Sequence, residues 1–474
     1  MCIRDSYFIV PRRAKNVVLL LFSLFFYAWG EPVYIFLMLF SICMDYLLGL
    51  WMERAKQAPG RAKKVLALAV VLNVALLGFF KYADFFVENL NALTGLAIPA
   101  LQIPLPIGIS FYTFQAMSYL IDLYRGDVPV QRNIISFGTY VSLFPQLIAG
   151  PIVRMRTVVG ELADRRENFD DFSSGVKRFV TGLGKKVLIA NTVGAVWSQI
   201  SAMDIRELPV LTAWIGLFAF TFQIYFDFSG YSDMAIGLGW MFGFHFLENF
   251  DYPYISKSIT EFWRRWHISL TTWFRDYIYI PLGGSRAGKW KSFRNTLVIF
   301  LVSGFWHGAN WTFVAWGAYH ALLFLPLLLL GQNRRYRDSV AENSFLPSVK
   351  ELTQMGVTFL LVLLGWILFR SEDISQAAVY LERMFNASLF SAPQLVGLGF
   401  GQLLLKKCFF FTALMFIVEW IGRKQAHGLM IEDLSLPVRY VIYTVLLIII
   451  YGFDASNPQG FIYFQFLSLI HISE

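Results

Sequence analysis

Residues 20–50, LLFSLFFYAWGEPVYIFLMLFSICMDYLLGL, hold two apolar runs joined at Gly30, Glu31 and Pro32. About 20 apolar residues cross a hydrocarbon core about 30 Å thick. Lipid cannot satisfy free backbone polar groups, so spanning segments form helices or closed barrels. The stretch therefore predicts a helical hairpin within a membrane. Further apolar runs lie near residues 16–32, 33–51, 65–85, 134–152, 180–200, 209–226, 228–246, 294–306, 312–330, 355–370, 408–422 and 438–453, several of them too short or too polar for simple spans. The chain is 57% hydrophobic and only 15% charged, against roughly 25% charged in soluble domains. An all-α integral membrane protein follows, with the lipid bilayer as its surroundings.

Charge then orients the chain. Arg12, Arg13 and Lys15 precede the hairpin, and Arg54, Lys56, Arg61, Lys63 and Lys64 follow it, so the positive-inside tendency places both outer ends in the cytoplasm. Basic loops at 154–166 and 334–337 are assigned to the same side. No soluble domain is long enough to carry a basic face, so the net charge of +8 belongs to loops, and nucleic acid is excluded as a partner. Cys2, Cys43 and Cys408 are far apart and form no ligand-spaced or redox motif, which argues against disulfides and zinc.

Two segments break the simple bundle pattern. LPIGISFYTFQAMSYLIDLYRG, residues 105–126, reads as a short or tilted helix ending in Asp122 and Arg125. SITEFWRRWHISLTTWFRDYIYIPLGGSR, residues 258–286, carries Glu261, Arg264, Arg265, Arg275 and Asp276 among aromatic residues. So many charges cannot face lipid at the bilayer centre. The helices either lie in the interface, with Trp263, Trp266 and Trp273 on the apolar side, or re-enter under a protein shield.

SGFWHGANW, residues 303–311, places a histidine and an asparagine inside an apolar region. An ionisable residue at membrane depth is a functional candidate by default, and a neutral imidazole can take a proton from a hydroxyl near physiological pH. His307 and His267 each follow a tryptophan at such a break. General-base chemistry and a satisfied helix contact both remain open for them. His245, His320, His427 and His471 read as structural. FDFSGYSD, with Asp227, Ser229, Ser232 and Asp233, suits either a polar tunnel lining or close helix contact. Pro145, Gln146 and Pro151 predict a broken helix, and Asn386-Ala387-Ser388 matches the glycosylation pattern.

PLPIGISFYTFQAMSYLIDLYRG, SLFPQLIAGPIVR, FDFSGYSDMAIG, NFDYPYISKSITEFWRRWHISLTTWFRDYIYIPLGG and GFWHGANWTFVAWGAYHA resemble the signature segments of the membrane-bound O-acyltransferase family. They are similar in particular to its bacterial branch that O-acetylates alginate and related exopolysaccharides. The resemblance covers residues 7–466 as one polytopic domain. It implies a ring of about 10–12 tilted transmembrane helices, with re-entrant or interfacial helices, around a central tunnel. It also implies acetyl transfer from a cytoplasmic thioester, acetyl coenzyme A or another acyl donor, toward an extracytoplasmic polysaccharide. A secreted or membrane-anchored acetyltransferase would complete delivery, and the setting would be a bacterial inner membrane. On this resemblance the family's essential histidine corresponds to His307 and its second to His267.

His307 is then expected as general base on the acceptor hydroxyl, and His267 as the group that orients the donor or polarises its carbonyl. Gly304 and Gly308 would permit the close backbone approach that such a junction needs. Asn310, Trp306, Trp266, Asp227 and Ser229 are the substrate-binding candidates, joined by Arg264, Arg265 and Arg275 as a basic floor for coenzyme A phosphates. Positive-inside anchoring competes for the arginines. No bound cofactor or metal is expected. Two other classes compete: D-alanyl transfer to teichoic acid from a carrier-protein thioester, and a transporter, against which the lack of an internal repeat weighs. Residues 1–6 and 467–474 are expected to be non-native, and the family usually has one further N-terminal helix.

Overall fold

The computed structural model describes residues 2–286, 288–332, 339–386, 402–425, 427–454 and 460–462. These residues form helices and connecting loops, with no strand among them. They divide into two compact units. One is drawn from Met1–Val176 and Ala235–Leu247, the other from Lys177–Met234 and Glu248–Tyr463.

The first unit begins with α1 (Cys2–Ile9), α2 (Lys15–Gly30), α3 (Ile35–Ala55), α4 (Arg61–Thr94) and α5 (Ile109–Arg125). It continues through α6 (Ile134–Ser142), α7 (Met155–Ala163) and the start of α8 (Phe169–Gly184). Gly60 and Gly95, both at positive φ, bound the 34 residues of α4, because only glycine adopts that left-handed geometry without strain. The segment at 105–126 is indeed short, a helix of 17 residues buried over most of its surface. The run at 134–152 does not form one span: α6 ends at Ser142, and residues 143–154 are not helical. The basic residues of this unit are partly consumed in packing. Tyr7 is fully buried, and its hydroxyl receives a hydrogen bond from Arg165 while donating to Glu167, with the Phe242 carbonyl oxygen 3.0 Å away.

The second unit contains the end of α8, then α9 (Asn191–Ser201) and α10 (Val210–Met241), whose last turns belong to the first unit. It goes on with α11 (Ile259–Arg265), α12 (Ile268–Phe274), α13 (Lys289–His307), α14 (Trp311–Leu329) and α15 (Val349–Arg370). It closes with α16 (Ile374–Arg383), α17 (Gln402–Ile421) and α18 (Leu436–Asp454). The runs at 209–226 and 228–246 are one continuous helix, since nothing in FDFSGYSD breaks the backbone ladder. A π-helical turn at Lys185–Ala190 joins α8 to α9, the kind of local widening that re-aims side chains. It brings Lys185 to Asp233 at 2.9 Å and Lys186 to Asp227 at 2.6 Å.

Six helices among the described residues are long and apolar enough to cross a membrane: α3, α4, α10, α14, α15 and α18. The antiparallel pair α13 and α14 packs backbone against backbone. A Cβ on Gly304 would lie 2.1 Å from the Phe313 carbonyl oxygen, and one on Gly317 would lie 2.3 Å from that of Phe300. Gly308 leaves the helix in an extended conformation, and there a Cβ would strike the Phe313 ring at 2.1 Å. The loop at 334–337, the sequon residues 387–388 and His471 lie outside the described residues.

Candidate active site

α11 starts where the Ser258 side chain accepts from the Glu261 amide and the Glu261 carboxylate accepts from the Lys257 amide, a reciprocal cap. The helix stops after seven residues. Trp266 is extended, and His267 takes a left-handed conformation at φ 45° and ψ 53° before α12 begins. A non-glycine residue in that region persists only when its surroundings hold it. Here the holding segment is Asn249–Asp251: Ile268 N–H donates to the Asn249 carbonyl at 2.9 Å, and Asp251 N–H donates to the Arg265 carbonyl at 3.0 Å.

The Asn249 side chain, fully buried, goes further and fixes the imidazole. Its Oδ1 accepts from the Ser269 backbone N–H at 3.3 Å and from Ser269 Oγ at 2.8 Å. Its Nδ2 donates to Ser232 Oγ at 3.0 Å. A backbone N–H can only donate, so the amide cannot be turned over without losing that bond. His267 Nδ1 lies 3.0 Å from the same Oδ1 and must therefore carry a proton. The ring is 2% exposed, and its Nε2 is left without a hydrogen-bond partner. Burial holds the His267 pKa below that of a free imidazole. The ring is accordingly neutral, with a bare lone pair on Nε2.

His307 closes α13 and is half-buried. Its ring centroid lies 5.0 Å from Trp306, 5.4 Å from Trp316 and 5.2 Å from Phe369. Trp306 also lies 6.3 Å from the His267 ring, so one indole neighbours both histidines. Phe228 of α10 closes the other side of His267 at 4.7 Å.

The remaining candidates scatter around this pair. Trp266 is 4% exposed and locked in an aromatic stack with Phe250, Phe262 and Trp366. Asn310 caps α14, accepting from the Thr312 amide at 3.0 Å, and donates to the Glu372 carbonyl at 2.6 Å. Asp227 pairs with Lys186 and accepts from the Ile462 amide, while Ser229 is buried on the same helix. Arg264, Arg265 and Arg275 do line one cavity of about 620 Å³, with Trp263, Phe300 and Phe324 as apolar walls. They are not equivalent. Arg265 is buried against Glu261 at 3.0 Å and Asp251 at 3.2 Å, Arg275 pairs with Asp276 from a largely exposed position, and Arg264 is exposed. His320 is caged by Trp263, Trp316 and Phe300, with Trp263 Nε1 donating to its Nδ1 at 3.3 Å.

Sequence reasoning missed Asn249, Ser269, Trp316 and Phe369. The one available signal was a polar residue, Asn249, opening NFDYPY just after an apolar stretch.

Residues 127–337 match the family model described as MBOAT, membrane-bound O-acyltransferase. Over 408 residues the chain is 43% identical to the probable alginate O-acetylase AlgI of Pseudomonas aeruginosa, covering 84% of this chain and 76% of that protein. It is 36% identical over 412 residues to the peptidoglycan O-acetyltransferase of Helicobacter pylori, with 80% and 76% covered. With the teichoic acid D-alanyltransferase of Bacillus subtilis it shares 28% identity over 279 residues, with 56% and 69% covered. An all-helical chain with six apolar helices and this extent of similarity belongs to the membrane-bound O-acyltransferase family, and it is a multi-pass membrane acyltransferase.

Proposed function

We propose that the chain moves an acetyl group from acetyl coenzyme A, or another acyl thioester, across the membrane toward the O-acetylation of an extracytoplasmic polysaccharide such as alginate. The setting is a bacterial inner membrane, and a secreted or anchored acetyltransferase completes delivery. The approach of both His267 and His307 to the Trp306 indole, at 6.3 and 5.0 Å between ring centroids, is the observation that carries this reading. α13 supports its direction. The helix begins with Lys289, Lys291 and Arg294, and His307 ends it about 27 Å further along the axis. The basic start favours the cytoplasmic side, next to the arginine-lined cavity that would take the thioester, so His307 lies toward the acceptor.

In this mechanism the acceptor hydroxyl gives its proton to the His307 imidazole as its oxygen attacks the thioester carbonyl. The C–S bond then breaks, and the departing thiolate recovers the proton from the imidazolium. Of the two parts expected of His267, orienting the donor or polarising its carbonyl, the geometry favours the first. Polarisation needs an N–H on Nε2, and the Asn249 contact gives Nε2 a lone pair instead. His267 therefore accepts a hydrogen bond and orients a reactant. The arginine cavity is read the same way: Arg264 and Arg275, both exposed, would meet the phosphates, and Arg265 serves as the strut beneath them.

The test is acetyl transfer from radiolabelled acetyl coenzyme A in membranes that also hold the secreted partner, comparing wild type with His307→Ala. Loss of transfer with normal membrane insertion supports the assignment, and retained transfer sinks it. No transfer from acetyl coenzyme A in wild type, but transfer from a carrier-protein thioester, would move the reading to D-alanyl chemistry.

A further inference from the structure

Asn249 holds the His267 ring, yet it lies in residues 248–252, which form no helix. A side chain on such a segment is only as fixed as its anchors. One anchor is the chain around His267 itself, bonded to the Asn249 carbonyl and the Asp251 amide, and that anchor moves with the histidine. A second and independent anchor is Arg178 of α8.

Arg178 is 2% exposed and bridges two carboxylates. Its Nε donates to Asp233 Oδ1 at 2.8 Å and its Nη1 to Glu248 Oε1 at 3.1 Å, while Nη2 reaches Glu248 Oε2 at 2.5 Å and Asp233 Oδ1 at 2.6 Å. Glu248 is the residue before Asn249, and Asp233 is the residue after Ser232. Asn249 Nδ2 donates to Ser232 Oγ at 3.0 Å. The guanidinium therefore clamps the chain beside both ends of the hydrogen bond that orients the Asn249 amide. All of these groups belong to the second unit.

α8 and α10 are fixed against each other at this level. A Cβ on Gly182, one turn after Arg178, would lie 2.4 Å from the Gly230 carbonyl oxygen and 2.9 Å from Asp233 Cβ. Lys185 holds the other oxygen of Asp233 at 2.9 Å. Phe228, one turn before Ser232 on α10, packs 4.7 Å from the His267 ring. A buried ion pair is a weak source of stability, because desolvation offsets the attraction. A planar fork that meets a carboxylate with two hydrogen bonds nevertheless sets geometry closely.

We propose that Arg178 is a positioning residue for acyl transfer. It locks Glu248 and Asp233 so that Asn249 presents its Oδ1 to His267, and the ring keeps its proton on Nδ1 and its lone pair on Nε2. Arg178 acts through Asn249 rather than on a reactant. The proposal rests on the acetyl-transfer reading for its rates alone.

Two measurements test it. In the transfer assay, Arg178→Gln and Glu248→Ala should each lower kcat about tenfold through misplacement of His267, with KM for acetyl coenzyme A changed less than about twofold. Arg178→Lys should recover part of the loss. In an Asn249→Ala background the same substitutions should cost less than about twofold, because the group they act through is gone. Losses that multiply with that of Asn249→Ala overturn the proposal, since a purely structural ion pair acts independently of that side chain. The second measurement needs no activity: nitrogen NMR of histidine-labelled protein, with the His267 signals identified by their absence in His267→Ala. Wild type should show one tautomer, protonated at Nδ1, and the two variants a mixture, because the bond at one ring nitrogen sets where the proton sits. An unchanged tautomer in both variants overturns the proposal. Glu248→Ala removes only one arm of the clamp, from a side chain 36% exposed, and keeps both measurements decidable if Arg178→Gln does not fold. A wild type that transfers no acetyl group, with variants that show the tautomer shift, would refute the function and leave the positioning role standing.

Discussion

His267 and His307 share an indole and little else. His267 is 2% exposed, sits at a left-handed backbone position and has one ring nitrogen held by a buried amide. His307 is half-buried at a helix end inside a box of aromatic rings, Trp306, Trp316 and Phe369. An imidazole fixed in one tautomer without charge is suited to orienting a partner. One at an accessible helix end can gain and lose a proton as reactants pass. The contrast teaches that an equal sequence signal, a histidine after a tryptophan, is converted into two chemical environments by what meets the ring.

The sharpest break of this contrast is His307→Ala, which should cost between about 10²- and 10⁴-fold in acetyl transfer, the range for a lost general base. Transfer assays on equal amounts of membrane-inserted protein measure it. If His267→Ala cost more than His307→Ala, the two roles would be exchanged. The expected cost at His267 is smaller, about 10²-fold.

Asn249→Asp sharpens the comparison through pH. A carboxylate facing Nδ1–H stabilises the imidazolium, so the His267 pKa rises and Nε2 loses its lone pair at a higher pH than in wild type. The acid limb of the rate profile should therefore shift upward, with activity lost as pH falls through the raised pKa. A profile unchanged in position would remove Asn249 from any positioning role. Asn249→Ala would instead leave the His267, Ser269 and Ser232 groups unsatisfied, at about 1–3 kcal/mol of stability, read as a lower thermal midpoint.

Gly304→Ala tests the other histidine through its helix. The added Cβ would meet the Phe313 carbonyl oxygen at 2.1 Å, so the end of α13 must shift. Overpacking of this kind costs about 1–3 kcal/mol. Transfer should fall about tenfold without a change in the pH profile. The smallest effect belongs to Arg275→Ala, which should raise KM for acetyl coenzyme A severalfold and leave kcat and stability nearly unchanged, since its side chain is 58% exposed.

Much of the fold was legible because lipid imposes simple rules: length and apolar composition located α3, α4, α14, α15 and α18. Two runs were misdivided. Polar residues in FDFSGYSD suggested a boundary, yet Lys185 and Lys186 satisfy Asp233 and Asp227, so α10 passes through unbroken. In 134–152 the apolar run is not one span, and the break that Pro145, Gln146 and Pro151 predict is present as the loop 143–154, in which the Gln146 side-chain N–H donates to the Tyr140 carbonyl at 2.8 Å. The site was legible in its chemistry-bearing residues but not in its supports. Asn249 lies 18 residues before His267, and nothing in that spacing says that their side chains meet.

The sequence by itself determined that the chain is helical, membrane-embedded and a member of an acyltransferase family, because hydrophobic length and long ordered motifs are properties of the linear chain. Only the tertiary structure decided which ring nitrogen of His267 is bare and which arginine is a strut. Those properties belong to pairs of groups brought together from distant positions. Arg265 and Arg275 carry the same charge in the sequence, and burial against Glu261 and Asp251 makes the first a strut while the second stays exposed beside Asp276.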